Sequence, residues 1–223
     1  MADFALQRKN MVENQVLPSD VTDRRIVRIM LEIPREQFVS PSLRGLAYMD
    51  QDICIAEAGR GQKARYLMAP RVLAKLIQHL ELGERDLVLD VGCGPGYSSA
   101  ILAKMAQTVV ALESDPALAE QATKALATVS IDNAVVVTGP LPEGFAKEGP
   151  YDAILLNGAV TQVPKGLLDQ LKDGGRLVAV ISDHTFGRAT QWRRLGATFD
   201  ARPLFDAGAP PLPGFERKAE FVF

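Results

Sequence analysis

Along the first eighty residues the apolar positions fall mostly at helical spacing. Residues 3–16 and 23–31 predict two helices, the second opening on a cap at Thr22 or Asp20 and closing before Pro34. Pro34 and Pro41 punctuate a polar stretch, residues 52–56 predict a brief strand, and residues 58–62, with Gly59 and Gly61, read as a loop. From 69 to 80, Val72, Leu73, Leu76, Ile77 and Leu80 return to helical spacing, with Pro70 in the first turn. The pattern then changes. Nearly continuous apolar runs at 87–91, 108–113, 134–139, 152–157 and 176–181 are separated by a loop before the fourth and by helical segments at 97–105, 116–127 and 164–171. Such runs are strands buried on both faces, so the predicted class is α/β: three layers around a mostly parallel central sheet, with an N-terminal helical extension. The end is harder to place. AGAPPLPG at 207–214 is followed by an apolar tail, AEFVF, that would return as an edge strand.

At 223 residues the chain is read as one domain, with a lead-in over 1–80 forming part of a substrate cleft, a core over 81–185 and a C-terminal extension over 186–223. A formal charge of −2 gives no global field for nucleic acid or an anionic membrane, and the N-terminal residues carry neither a signal pattern nor a membrane anchor. The two cysteines, Cys54 and Cys93, lack any metal or disulfide spacing, so no metal is expected and a reducing cytoplasm fits.

The chemistry concentrates in LVLDVGCGPGYSSAILA, residues 87–103. Gly92, Gly94 and Gly96 sit in a strand-to-helix turn, where glycines let backbone approach a ligand. The spacing is GxGxG rather than the GxGxxG of a dinucleotide site, and the strand ends in Asp90, which repels a diphosphate but suits the cationic methionine end of S-adenosylmethionine. The next strand ends about 20 residues on, at Glu113, where a carboxylate can accept both ribose hydroxyls. The cofactor-binding set is therefore Asp90, Gly92, Cys93, Gly94, Gly96, Tyr97, Glu113, Ser114, Leu141 and Asn157. The blander alternatives are a glycine turn serving only close packing and an acid capping the helix at 116–127. His79, His184 and Trp192 read as structural by default.

These residues resemble the seven-stranded class I methyltransferases, whose Rossmann-like core carries S-adenosylmethionine. Over most of the chain they resemble the protein-L-isoaspartate O-methyltransferase family: MVENQV (11–16) with DVTDRRIVRIMLEIPREQFVSPSLRGLAYMDQDI (20–53), the glycine turn, PYDAILLNGAV (150–160) and VPKGLLDQLKDGGRLVAVI (163–181). The resemblance implies methyl transfer to a carboxylate of a damaged protein or peptide.

Two stretches depart from the family pattern. Where the family has Thr-Ile-Ser-x-Pro, this chain reads GRGQKARYLMAP (59–70), so that Met68 takes the serine position, Tyr66 the threonine position, and residues 63–65 look inserted. Where the family has Gly-Asp-Gly, this chain has GPLPEG (139–144), leaving Leu141 to pack on the adenine. The catalytic residues are consequently open, with Arg65, Tyr66 and Asp52 as candidates. Arg65 or Lys63 would steady an anionic substrate or else lie in a solvated loop; Tyr66 would donate a hydroxyl or pack; Asp50 and Asp52 would face the cleft or cap a turn. The alternatives are a methyltransferase for another small-molecule or protein acceptor, and a non-catalytic S-adenosylmethionine-binding module. Oligomeric state is left open.

Overall fold

The computed structural model describes residues 3–59, 63–182 and 186–216. The N-terminal part is helical, with α1 (Phe4–Met11), α2 (Arg24–Glu32) and α3 (Pro70–Gln78). Asp3 caps α1 by accepting from the Leu6 amide. The predicted helix over 3–16 continues past Met11 in another form: from Val12 to Val16 the chain widens into a π-helical turn, and Met11, Val12 and Val16 are buried. The cap of α2 is Asp23, not Thr22 or Asp20. Its carboxylate accepts from the Arg25 amide at 2.9 Å, while the Thr22 amide is held by the Gln78 side chain.

Strand β1 (Ile53–Ala56) pairs antiparallel with β2 (Arg65–Leu67), a strand the hydropathy pattern does not predict. The main sheet has seven strands: β3 (Leu87–Val91), β4 (Thr108–Glu113), β5 (Ala134–Thr138), β6 (Tyr151–Val160), β7 (Leu171–Ser182), β8 (Gly187–Leu195) and β9 (Thr198–Asp206). Their spatial order is β5-β4-β3-β6-β7-β8-β9; the first five are parallel and the last two antiparallel. Helices α4 (Tyr97–Ala103), α5 (Pro116–Thr128) and α6 (Lys165–Leu168) connect the parallel strands. Asp115 caps α5 through the Ala117 amide, with Pro116 in the first turn.

The predicted helix over 164–171 stops at Leu168, because β7 starts at Leu171 and runs five residues ahead of the expected 176. Strands β8 and β9 fall in a stretch left without elements. They form an antiparallel hairpin, with β9 at the sheet edge, and neither carries a clean period-2 pattern: Ala189, Thr190 and Gln191 are buried in succession in β8, and β9 is mostly exposed. The tail proposed as an edge strand and His184 lie outside the described residues. Two apolar clusters sandwich the sheet. One is built with α1–α4 around Phe38, Leu76 and Ile101, the other around Leu89, Leu156, Leu167 and Leu177. Arg35 is buried in the first, donating to the Ala47 and Met68 carbonyls at 2.7 Å and lying over the Tyr97 ring. Among the described residues no helix is long and apolar enough to cross a membrane.

Candidate active site

The strand order reverses at β3, which has β4 on one side and β6 on the other. A crevice opens at such a switch point, outside the carboxyl ends of the strands. Three segments meet there: the turn after β3, Glu113–Ser114 at the end of β4, and Asn157–Gly158 in β6. The turn is wholly buried from Val91 to Gly96. Its amides are spent internally: Gly92 and Cys93 donate to the Leu112 carbonyl, Gly94 to Glu113 Oε2 at 2.8 Å, and Gly96 to the Cys93 carbonyl. A loop with its N–H groups so engaged is no cradle for a diphosphate.

One end of the turn retains unused acceptors. Asp90 is fully buried; its Oδ2 accepts from both Ser98 and Ser99 at 2.6 Å, while Oδ1 has no partner among the described residues. Asn157 donates to Ser98 Oγ at 2.8 Å, and its own Oδ1 is buried and unpartnered. Burial pushes the Asp90 carboxyl up to about 6 against the pull of the two serine hydroxyls. Cys93 is fully buried and its thiol is raised well above the ordinary range, by burial first and then by the Asp90 and Glu113 charges, so it packs rather than reacts. Tyr97 is also buried, and desolvation raises its phenol.

The other end is saturated. Glu113, fully buried, accepts both guanidinium arms of Arg65, one of them at 2.8 Å, and also the amides of Gly94, Ser114 and Asp115. Alternation along β2 sets this up by turning Arg65 and Leu67 inward and Tyr66 outward. Arg65 is therefore not a solvated loop residue: it lies 6% exposed, inside the crevice, and its second arm approaches the Gly92 carbonyl at 3.4 Å.

Above the turn lies the chain's own C-terminal segment. It crosses β6 through a parallel bridge, with Ala159 N–H donating to the Pro210 carbonyl at 2.7 Å and Leu212 N–H to the Ala159 carbonyl at 2.8 Å. Gly92 has φ +79, and a Cβ there would stand 2.6 Å from Leu212 Cδ2 and 3.5 Å from Leu141 Cδ1. At Gly158 a Cβ would stand 2.7 Å from Leu212 Cγ. The two glycines thus form a socket that Leu212 fills, in one apolar cluster with Leu141, Leu156 and Phe215.

Two of the remaining candidates, Tyr66 and Asp52, line a separate cleft. Tyr66 is exposed and lines a cleft of about 710 Å³ with Asp50, Asp52, Arg71, Lys75 and residues of the segment 205–211. Asp52 accepts from the Ala69 amide at 2.7 Å, at the start of α3, and burial raises its carboxyl. Arg71 pairs with Asp50 at 3.1 Å. Met68 is buried and its carbonyl is taken by Arg35. Lys63 pairs with Glu216. Sequence reasoning missed Ser98 and Ser99 as the donors to Asp90, although their place in the first turn after the glycines was a signal. It also missed Leu212, whose only signal was an apolar side chain inside a proline-rich stretch.

A parallel sheet with a glycine turn after the strand at its switch point, an acid at that strand's end and a second acid ending the next strand is the layout of a class I methyltransferase. The family model described as protein-L-isoaspartate(D-aspartate) O-methyltransferase matches residues 6–202. The chain belongs to that family. Proteins named protein-L-isoaspartate O-methyltransferase are similar to it: one from Methanoculleus marisnigri, 38% identical, with 78% of this chain and 77% of that protein covered, and one from Rhodopseudomonas palustris, numbered 1, 38% identical over 96% and 85%. Among solved structures, one named protein-L-isoaspartate O-methyltransferase has a TM-score of 0.80 at 24% identity, covering 93% of this chain and 66% of its own. A Plasmodium falciparum structure described as a candidate enzyme of the same name, in complex with S-adenosyl-L-homocysteine, has a TM-score of 0.75 at 20% identity, covering 95% and 99%.

Proposed function

We propose that this chain takes a methyl group from S-adenosylmethionine and places it on the side-chain carboxylate of an isoaspartyl residue in a protein or peptide, as the names of its relatives describe. The observation that carries the cofactor reading is the pair of buried, unpartnered acceptors, Asp90 Oδ1 and Asn157 Oδ1, beside the glycine turn. Acceptors without donors fit a cationic, hydrogen-bond-donating group, and a dry site strengthens the attraction. S-adenosylmethionine, when bound, supplies an electrophilic methyl group on a sulfonium, which an ionised carboxylate attacks without a base.

Asp90 and Asn157 would hold the ammonium end, with Cys93 and Tyr97 as packing. Gly92, Gly94 and Gly96 would let the backbone come close, Glu113 and Ser114 would meet the ribose hydroxyls, and Leu141 would lie against the adenine. Positioning, more than acid–base chemistry, is what the protein has to provide. The acceptor would lie in the cleft of about 710 Å³, where Arg71 and Lys75 supply positive charge and Tyr66 a hydroxyl. Residues 1–80 would wall that cleft as part of one domain, and a reducing cytoplasm suits the two free cysteines. A different acceptor is the second reading, favoured by Met68 standing where the family carries a hydroxyl.

The test is transfer of labelled methyl to an isoaspartyl peptide and to its ordinary aspartyl twin. Labelling of the first alone supports the repair reaction. Labelling of neither, with S-adenosyl-L-homocysteine bound, moves the reading to another acceptor or to a sensing module.

A further inference from the structure

The segment 207–216 walls both the cleft beside Tyr66 and a cavity of about 490 Å³ bordered by Lys63, Arg65 and Ser114. The segment carries the strongest observations. We propose that it is an autoinhibitory strap: Leu212 occupies the socket between Gly92 and Gly158, Arg65 occupies Glu113, and the cofactor binds only when both are displaced. This rests on the cofactor reading given above.

The competition is for the same atoms. The glycines that would leave room for a ligand at Gly92 and Gly158 are those that leave room for Leu212, and any Cβ at either would collide with that side chain. The carboxylate that would accept ribose hydroxyls already accepts a guanidinium and three amides. The Pro210 carbonyl lies 2.8 Å from where a Gly158 Cβ would stand, so strap backbone as well as side chain fills the crevice.

Among the described residues the strap's polar contacts are the two bonds to Ala159, the Thr161 hydroxyl on the Phe215 carbonyl, the Ala207 amide on Gly187, and the half-exposed Lys63–Glu216 pair. Its three prolines, Pro210, Pro211 and Pro213, lower the entropy lost on docking. It also lies beyond residue 202, where the family model's match ends. Nothing in the methionine end needs the strap: Asp90, Ser98 and Asn157 are bonded among themselves.

The experiment is calorimetric titration of S-adenosyl-L-homocysteine into the full chain, the chain truncated after Ala207, and Leu212→Ala. The expected result is at least ten-fold tighter binding by both variants. Equal affinity for all three folded proteins overturns the proposal, whether that affinity is high or undetectable. Backbone hydrogen exchange on the full chain covers the case of an unfolded variant. Saturating S-adenosyl-L-homocysteine should raise exchange of the Ala159 and Leu212 amides by ten-fold or more, and unchanged or stronger protection overturns the strap. Tight binding by the variants without methyl transfer to any peptide counts against the methyltransferase reading and leaves the strap standing.

Discussion

The two ends of the glycine turn are built from the same kind of group, a buried carboxylate at a strand end, yet they stand in opposite states. Asp90 has two hydroxyl donors on one oxygen and none on the other, with no countercharge bonded to it. Glu113 has six donors among the described residues: two guanidinium arms, three amides and the Ser114 hydroxyl. A buried carboxylate left short of donors is costly to the fold and signals a use for the free lone pair; one fully satisfied is a structural tie. The difference shows that two strand-end acids alike in type and burial can differ in whether their hydrogen bonds are already committed within the chain. Asp90 stands poised with one acceptor open and Glu113 is locked, and the lock is supplied by a residue, Arg65, from the stretch where this chain leaves the family pattern.

The comparison breaks most directly at the locked end. Glu113→Ala should strand a buried guanidinium and three amides, costing about 3–5 kcal/mol of stability. Urea denaturation measures it, and a loss below about 1 kcal/mol, the range of an exposed pair, would remove the claim that the pair is a buried tie. At the poised end the effect is pH-dependent. The unfolded Asp90 ionises near 3.8 and the folded one near 6, so the folded state holds the proton more tightly. Its contribution therefore favours folding at low pH and is lost as pH rises from about 4 to 6, a cost of about 3 kcal/mol that is complete at neutral pH. Stability of the wild type relative to Asp90→Asn should fall by that amount between pH 4 and pH 7, and a flat difference would show that Asp90 ionises normally.

How much of this was legible in the sequence follows from what each signal depends on. The parallel strands β3, β4, β6 and β7 were readable because burial on both faces makes each a largely apolar run, as in LVLDV and DAILLN, and β5, at the sheet edge and only partly buried, was readable from its valines. The glycine turn, Asp90 and Glu113 were readable from local spacing, and the fold and family reading agree with the relatives found. Strands β8 and β9 were not, because an edge hairpin with Arg188, Arg193 and Arg202 needs only a weak apolar face. Arg65 against Glu113 is a contact over 48 residues, and Leu212 is far in sequence from both Gly92 and Gly158. Neither partner carries a local mark of the other, so the acids at the strand ends were legible and the contacts they already make were not.

Gly158→Ala sharpens the comparison with a smaller effect. The added methyl meets Leu212 Cγ and the Pro210 carbonyl oxygen at under 3 Å, and backbone on one side leaves little room to relax. The expected cost is about 1–3 kcal/mol in the full chain. In the chain truncated after Ala207 the same substitution meets none of these atoms and should cost well under 1 kcal/mol. Equal costs in the two backgrounds would mean that Gly158 is needed for some reason other than the strap.

The smallest effect belongs to Lys63→Ala. The Lys63–Glu216 pair clasps the strap's end, and the Lys63 ammonium holds the Glu216 carboxyl below its usual range, but both side chains are about half exposed. Water and salt screen such a pair, and two long side chains lose rotamer freedom to make it, so it contributes about 0–1 kcal/mol. Leu212, in contrast, is 4% exposed in a socket without side chains of its own. If the apolar anchor closes the strap, Lys63→Ala should change S-adenosyl-L-homocysteine affinity by less than three-fold, at low and at high salt alike, while Leu212→Ala changes it by ten-fold or more. A large, salt-sensitive gain in the lysine variant would instead make the ion pair the latch and reduce Leu212 to filler.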